Sequence, residues 1–263
     1  MNLQRRRRCW PGSLPRSSLV YSRLSYSRIF AACALAAACE QTPKPANILL
    51  FTGKGTSSGD VAAIERILRD QHLTYVTASS RQLGALTTPQ LAAYRLLIVP
   101  GGNFVEIGQG LMPVTVANVR DAVRGGVNYL GICAGAFFAG DSPYNGLNLT
   151  SGVRFPFYAA EARGIRKTAV QIVVAGSSSL EQYWEDGPQL TGWGDAIAKY
   201  DDGTPAAAQG KFGNGWVILL GTHPEAPDSW REKLRFATSG EAARSYAATL
   251  ITSAFNATPM QHF

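Results

Sequence analysis

The chain has 263 residues and carries 25 Lys and Arg against 18 Asp and Glu, a formal net charge of +7 at pH 7. Seven of those arginines lie in the first 39 residues, which contain no acidic residue, so the remainder of the chain has no net charge. The basic balance therefore belongs to the N-terminal segment, and the body of the chain does not predict a nucleic-acid-binding surface.

The first 39 residues are predicted to be an export signal with a lipid attachment site. An apolar run, residues 29–38, follows the arginines and is too short to cross a bilayer. It leads into the segment LAAAC, residues 35–39, which resembles the cleavage site of bacterial lipoproteins and implies lipidation of Cys39. The alternatives are a cleaved signal without lipid, an uncleaved anchor and a mis-assigned start.

This interpretation divides the chain into a targeting segment (1–39), a linker (40–45) and one folded domain (46–263). The third part is long enough for one domain with a full hydrophobic core. We therefore expect an exported protein at the periplasmic face, attached to a bacterial membrane only through its N-terminal lipid.

The four cysteines are divided unevenly between these parts. Cys9 and Cys33 leave with the signal and Cys39 would carry lipid, so Cys133 is the one free thiol of the predicted domain. No disulfide is then expected within the domain. A lone cysteine in an oxidising compartment is usually either buried and inert or retained for its reactivity.

The first half of the domain alternates predicted strands with predicted helices. Most of the strands are continuous apolar runs, which is typical of parallel strands buried on both faces. This pattern predicts an α/β fold with a mostly parallel sheet covered by helices on both sides. The predicted strands are 47–51, 73–77, 95–99 and 127–130, and the predicted helices are 60–69, 89–94 and 114–124.

The second half is richer in strands and ends in a helix at 241–255. Turn signals at 202–203 and 213–215 separate its last three strands, which predicts an antiparallel extension leading into the final core strand. In an open sheet of this kind, ligands bind at the carboxyl ends of the strands. The predicted strands are 168–174, 196–200, 205–209 and 216–220.

Cys133 lies between two glycines in the segment GICAG, residues 131–135, directly after a predicted buried strand. A strand that turns sharply into a helix holds the central residue in a strained conformation and leaves no room for side chains on its neighbours. The N-terminus of the following helix would favour a nucleophilic thiolate. The alternative is a core cysteine that packs as a small hydrophobic residue.

A cysteine nucleophile needs a base, and the base needs an orienting partner. Of the candidate histidines, His72 lies between a helix and an early strand and His262 is next to the C-terminus. His223 follows the predicted strand 216–220, so its loop and Cys133 are expected at the same edge of the sheet. Glu225 is close enough to fix the histidine tautomer, and a surface-loop histidine is the alternative.

Backbone N–H groups are needed to stabilise the oxyanion of an acyl intermediate. Ala134, next to the nucleophile, is one predicted donor. Gly102 is the other, with Gly101 and Asn103 as close alternatives, because a glycine loop follows the strand at 95–99. The same glycines could instead form a structural turn.

These motifs together resemble those of the class I glutamine amidotransferase-like superfamily. They are PGG at 100–102, GICAG at 131–135 and HPE at 223–225. Within it, the segments LLIVPGGNFVEIG and NYLGICAGAFFAGD are most similar to the family named for the N-terminal domain of biotin protein ligases. The resemblance covers roughly residues 46–255, and it implies a flavodoxin-like three-layer sandwich.

Three departures limit what the resemblance implies. Glutamine-hydrolysing members have Gln at the position of Phe137, so glutamine hydrolysis is not expected. The peptidase and chaperone branch has an acidic residue after the first strand, whereas the loop 52–56 has none, which favours a Cys133, His223 and Glu225 triad. The chain also lacks the adenylate-binding loop of a biotin ligase, so biotin ligase activity is not predicted.

The predicted substrate pocket contains Asn103 and Phe137, together with Tyr183 and Trp184 from a segment interpreted as a loop. The alternative for the last two is packing within the β extension. No cluster has the spacing of a metal site, and the glycine-rich segment 53–59 lacks the phosphate-loop spacing. No metal and no cofactor are therefore predicted.

We therefore predict a cysteine-dependent hydrolase or amidase that acts on a small-molecule or peptide amide. The alternative is a module that binds a ligand or partner protein on the same fold without turnover. The sequence leaves the substrate and the oligomeric state open.

Overall fold

The computed structural model describes residues 46–263. The predictions for the targeting segment, the lipid at Cys39 and the linker lie outside the described residues. Among residues 46–263, no helix combines the length and the apolar character that crossing a membrane requires.

The domain is built on a nine-stranded sheet with the order β2-β1-β3-β4-β9-β8-β7-β5-β6. The five strands from β2 to β9 are parallel, and the remaining four continue the sheet in antiparallel fashion. The predicted parallel sheet with an antiparallel extension is therefore confirmed. The strands are β1 Ile48–Phe51, β2 Tyr75–Ala78, β3 Leu96–Val99, β4 Asn128–Ile132, β5 Lys167–Val174, β6 Ser179–Glu185, β7 Asp195–Tyr200, β8 Pro205–Phe212 and β9 Gly215–Leu220.

Helices cover both faces of the sheet because its central strands are apolar on both sides. Every residue of β1, β3, β4 and β9 is buried. One core cluster includes side chains of α1 and α9, and a second cluster includes side chains of α5 and α6. The three-layer sandwich is thereby confirmed. The helices are α1 Ser58–Asp70, α2 Ser80–Gly84, α3 Thr88–Leu91, α4 Phe104–Gln109, α5 Pro113–Gly125, α6 Ala134–Ala139, α7 Ala159–Ala162, α8 Asp228–Arg231 and α9 Gly240–Asn256.

Strand β6 was not predicted from the sequence. Its sequence, SLEQYWE, mixes polar and aromatic residues and shows neither a continuous apolar run nor clean alternation. It pairs only with β5, at the edge of the sheet, as the second strand of a hairpin. The interpretation of Tyr183 and Trp184 as loop residues is therefore wrong, because both lie within this strand.

The chain segments that follow β1, β3, β4 and β9 meet at one edge of the sheet. β4 and β9 are adjacent and parallel, with Ile132 paired to Leu220. Because these strands are parallel, their carboxyl ends and the loops that follow them lie along the same edge of the sheet. The candidate functional residues of the sequence lie there.

Candidate active site

Cys133 occupies a sharp turn between β4 and α6. Its backbone has φ 47° and ψ −102°, a conformation that is costly for a residue with a side chain. The turn is fixed because the N–H of Cys133 donates to the carbonyl of Leu220 at 2.8 Å, at the end of the neighbouring strand. The expected elbow geometry at Cys133 is thus present.

The two glycines of GICAG allow the backbones to approach closely at this turn. A Cβ at Gly135 would lie 2.0 Å from the carbonyl oxygen of Val99, and a Cβ at Gly131 would lie 2.6 Å from that of Gly135. Neither position has space for a side chain. Helix α6 is therefore packed directly against the end of β3, which carries the PGG loop.

The thiol of Cys133 is largely buried, with 5% of the residue exposed. Its Sγ lies 3.5 Å from the carbonyl oxygen of Glu185, at the end of β6. It nevertheless lines an open cavity, which His223 also lines. Cys133 therefore borders the cavity and at the same time belongs to one of the two core clusters.

His223 is held at the rim just beyond β9. Its backbone N–H donates to the carbonyl of Tyr183 at 2.8 Å, which ties the loop to β6. The rings of Tyr183 and Trp230 approach its imidazole edge to face, each with centroids 5.8 Å away. These contacts leave the imidazole 3% exposed and fix the plane of its ring.

Two buried carboxyl groups contact the same nitrogen of His223. Oε1 of Glu225 lies 2.9 Å from Nδ1, and Oδ1 of Asp60 lies at the same distance. Asp60 is in the first turn of α1, and the side chain of Ser57, the residue that caps this helix, accepts a hydrogen bond from the N–H of Asp60. Glu225 was predicted from the sequence as the partner of His223, whereas Asp60 was not.

Burial opposes ionisation of both carboxyl groups, but the outcome differs between them. For Asp60, burial is outweighed by the charge of His223 and by hydrogen bonds, so its pKa lies below the usual value. For Glu225, burial dominates and raises the pKa to about 8. At neutral pH the pair therefore consists of an ionised Asp60 and a mostly protonated Glu225.

The electrostatics of His223 follow from these neighbours. Burial alone would lower the pKa of the imidazole, but the negative charge on Asp60 outweighs this effect and raises the pKa well above the usual value. The imidazole is consequently a group that readily takes up and holds a proton.

Asp60, His223 and Glu225 also form the one group of three potential metal ligands that lie together among residues 46–263. Their ligand atoms lie within 4.8 Å of one another. However, both carboxylates contact Nδ1 at hydrogen-bond distance, and a bound cation would have to replace those contacts. The arrangement fits an oriented imidazole better than a metal centre.

The predicted oxyanion donors lie on either side of Cys133. Neither the N–H of Gly102 nor that of Ala134 takes part in a loop or cap hydrogen bond within residues 46–263, and both residues line the cavity. The N–H of Asn103 is engaged, because it donates to the carbonyl of Gly55 at 2.7 Å. Asn103 is therefore unsuited to act as the oxyanion donor in place of Gly102.

Gly102 has a backbone that only glycine adopts readily, with φ 137°. A Cβ there would lie 2.1 Å from the carbonyl oxygen of Gly55. The loop after β3 is thus pinned against the loop after β1, which fixes the direction of its N–H groups.

The cavity at this rim has a volume of about 460 Å³. Its lining combines aromatic and acidic residues with Cys133 and His223. The aromatic residues are Phe104, Phe137, Phe157 and Trp230, and the acidic residues are Asp60, Glu185 and Asp186.

The four residues predicted for the substrate pocket are placed differently. Asn103 and Phe137 line the cavity, whereas Tyr183 and Trp184 do not. Successive residues of a strand point to opposite faces, so Tyr183 packs against His223 while Trp184, fully buried, packs against Tyr158. Tyr183 thus contacts the imidazole from outside the cavity, and Trp184 is part of the hydrophobic core.

The fold is similar to that of glutamine amidotransferases, in agreement with the fold that the sequence motifs implied. One solved structure, described as a glutamine amidotransferase, is similar at 21% identity and a TM-score of 0.51, covering 71% of this chain and 95% of that one. At this identity the likeness concerns the fold.

The same fold occurs within longer enzymes. Exo-β-1,4-mannosidase Op5Man5 from Opitutaceae bacterium strain TAV5 is similar at 12% identity with a TM-score of 0.53, covering 77% of this chain and 36% of that one. The GH42 β-galactosidase Gan42B is similar at 12% identity with a TM-score of 0.50, covering 80% of this chain and 30% of that one. The chain thus spans about a third of the length of either glycosidase.

At the level of family, residues 46–164 match the model described as biotin-protein ligase, N terminal. This match includes the PGG loop and the Cys133 elbow, and it confirms the predicted resemblance. No curated protein matches the chain.

Proposed function

We propose that the protein is a cysteine-dependent hydrolase that acts on an amide or a related acyl bond. The observation that carries this proposal is the shared cavity at the ends of β4 and β9. It joins a cysteine on a strained turn to a histidine whose Nδ1 is held by two buried carboxyl groups. A nucleophile, a base and a group that orients the base are a combination typical of nucleophilic catalysis by cysteine.

In the first half of the proposed reaction, Sγ of Cys133 forms a bond to the substrate carbonyl carbon while His223 accepts the thiol proton. The negative charge that develops on the carbonyl oxygen is stabilised by the N–H groups of Gly102 and Ala134. His223 then returns the proton to the leaving nitrogen, the C–N bond breaks, and an amine and a thioester result.

In the second half, His223 accepts a proton from water and the resulting hydroxide attacks the thioester carbon. The C–S bond breaks, the carboxylic acid is released and the proton returns to Cys133.

Within this reaction Asp60 and Glu225 are positioning residues. The ionised Asp60 would orient the imidazole with Nδ1–H as donor and would stabilise the protonated ring. Glu225, protonated at neutral pH because of its burial, would hold the two carboxyl groups together by donating to Asp60. This assignment changes the role expected for Glu225 from the sequence.

We also propose that the protein is exported and held at the periplasmic face of a bacterial membrane through a lipid on Cys39, with an amide as its partner molecule and no nucleic acid. The arginine-rich segment, the short apolar run and the LAAAC motif support this proposal. Mass spectrometry of the mature N-terminus would show a lipid-modified Cys39, and C39A should lose it.

The proposed chemistry can be tested by labelling the full chain with an electrophilic amide analogue and mapping the adduct by mass spectrometry. We expect an adduct on Cys133 that C133A lacks and that H223A forms at least about tenfold more slowly. Equal labelling of H223A and the wild type would rule out a working Cys133 and His223 pair. It would favour a ligand-binding module instead.

A further inference from the structure

A second, smaller cavity adjoins the candidate active site. Its volume is about 200 Å³, and it shares the rings of Phe104, Phe137 and Phe157 with the larger cavity. Tyr144 and Phe155 add two further aromatic rings to its lining. We call this smaller cavity the aromatic side pocket.

The shared rings are packed into one cluster. Phe104 stacks on Phe137 with centroids 4.6 Å apart, and Phe157 lies 4.9 Å from Phe137. Phe104 also meets Tyr144 edge to face at 6.0 Å. The rings therefore hold one another in place and leave a fixed apolar surface beside the cavity.

The outer part of this cluster is exposed to solvent. Phe157 is 39% exposed and Tyr144 is 41% exposed. Aromatic surface gathered at the mouth of a cavity, rather than scattered singly, marks a place where an apolar group binds. The aromatic side pocket thus has the properties of a subsite.

The side pocket begins next to the atoms that would react. Phe104 follows Asn103 in the loop that carries Gly102, and Phe137 lies one helical turn beyond Cys133, with its N–H donating to the carbonyl of Cys133 at 3.1 Å. A group attached to the carbon that Cys133 attacks would therefore reach these rings.

We propose, building on the hydrolase function proposed above, that the substrate carries an apolar acyl group of about the size of a phenyl ring, which binds in the aromatic side pocket. An apolar cavity of about 150 Å³ is already sufficient to bind benzene, so the volume suits such a group. A glutamine side chain would meet mainly these rings, since Ser142 and Arg154 are the polar residues of the lining besides Tyr144, and it would be disfavoured because it loses hydrogen bonds to water.

Binding can be measured apart from turnover by using C133A in the full chain. Calorimetric titration with primary amides keeps the leaving group constant while the acyl group varies. We expect phenylacetamide to bind at least about tenfold more tightly than acetamide or L-glutamine, because only its ring is removed from water in the side pocket. Equal affinities, or a preference for glutamine, would overturn the assignment.

A variant of the pocket makes the test specific. F157A in the C133A background removes a ring that is 39% exposed, and it should weaken phenylacetamide binding by roughly tenfold and acetamide binding by clearly less, because only phenylacetamide places a ring in the side pocket. F263A is the matched control, since Phe263 is 53% exposed and does not line either cavity. Equal effects of F157A and F263A would contradict the proposal.

Release of ammonia by the chain with Cys133 intact separates the two proposals. Selective binding of phenylacetamide without ammonia release would leave the side pocket established and the hydrolase function refuted. Release of ammonia from all three amides at equal efficiency would support the hydrolase and overturn the substrate class.

Discussion

Oδ1 of Asp60 lies 2.9 Å from Nδ1 of His223, although the two residues are 163 positions apart in the chain. Oε1 of Glu225 lies at the same distance from that nitrogen. Nδ1 carries at most one hydrogen, so the two carboxyl groups compete for it. The competition favours Asp60, whose pKa is lowered, over Glu225, whose pKa burial raises to about 8.

Removing the charge of Asp60 should therefore impair the site more than the same change at Glu225. We expect D60N to slow the alkylation of Cys133 by iodoacetamide at neutral pH by at least about tenfold, because the imidazole loses its ionised partner. E225Q should stay within about threefold of the wild type, since an amide still donates as the protonated carboxyl group does. Stopped-flow or mass-spectrometric alkylation rates provide the measurement.

D70N is the matched control for that comparison. Asp70 ends the same helix, and its side chain is 68% exposed. The control should react like the wild type. A larger loss in E225Q than in D60N would show that Glu225 is the ionised partner, as the sequence alone suggested.

The raised pKa of Glu225 also predicts how stability depends on pH. Its ordinary pKa of 4.5 rises to about 8 in the folded protein, so the folded chain retains a proton that the unfolded chain releases. Stability must then fall as pH rises through this window, by up to about 1.4 kcal/mol per pH unit. His223, whose pKa is also raised, adds a fall of the same sign only above its ordinary value of 6.5.

E225Q should abolish the decrease in the free energy of unfolding that occurs below pH 6.5, the ordinary pKa of histidine. Urea denaturation between about pH 5 and pH 6.5 measures it, because Asp60, with its lowered pKa, is ionised in both states there. We expect the free energy of unfolding to fall over this range in the wild type and to be nearly constant in E225Q. Parallel pH profiles would show that Glu225 ionises normally in the folded protein.

The features that the sequence predicted are those encoded by neighbouring residues. The buried strands were recognisable as apolar runs, and the elbow was recognisable from the glycines on either side of Cys133. The contact between Glu225 and His223 needs only one turn of chain. Each of these features depends on residues that are close in the chain, so it can be recognised without knowing how the strands are arranged in the sheet.

Asp60 could not be recognised in the same way. An acidic residue in the first turn of a helix is a common structural feature that stabilises the helix N-terminus, so nothing local marks it as functional. Its partner depends on the order of the strands in the sheet, in which β3 and β4 lie between β1 and β9. The one available signal was that α1 starts at the carboxyl end of β1 and therefore at the rim.

The strained backbone at Cys133 predicts an unusual order of stabilities. Glycine adopts φ 47° without the steric cost that any Cβ imposes, so C133G should be more stable than C133A by about 1 kcal/mol. Both variants lack the thiol and should be inactive. Chemical denaturation of the two proteins measures the difference directly.

The helix just after the elbow provides the control for that order. Ala136 lies within α6 and is fully buried, and A136G should be less stable than the wild type by about 1 kcal/mol or more. A C133G variant that is less stable than C133A would contradict the prediction. It would show that the backbone at residue 133 is not strained and that packing determines the shape of the turn.

The close approach of α6 to β3 gives a prediction that connects stability to the site. A Cβ at Gly135 would lie 2.0 Å from the carbonyl oxygen of Val99, whereas a Cβ at Gly125, at the end of α5, would have no neighbour within 4 Å. G135A should therefore lower the free energy of unfolding by about 3 kcal/mol or more, and G125A should change it by less than about 1 kcal/mol, in the stabilising direction.

The folded fraction of G135A should also be less reactive. Val99 leads directly into the PGG loop, so moving the helix away from this strand moves Cys133 relative to the N–H of Gly102. We expect the labelling of Cys133 by an amide analogue to slow by at least about tenfold in G135A, since displacements near 1 Å weaken catalytic geometry strongly, and to be unchanged in G125A. Normal labelling of a folded G135A would mean that the loop after β3 does not contribute to the reaction.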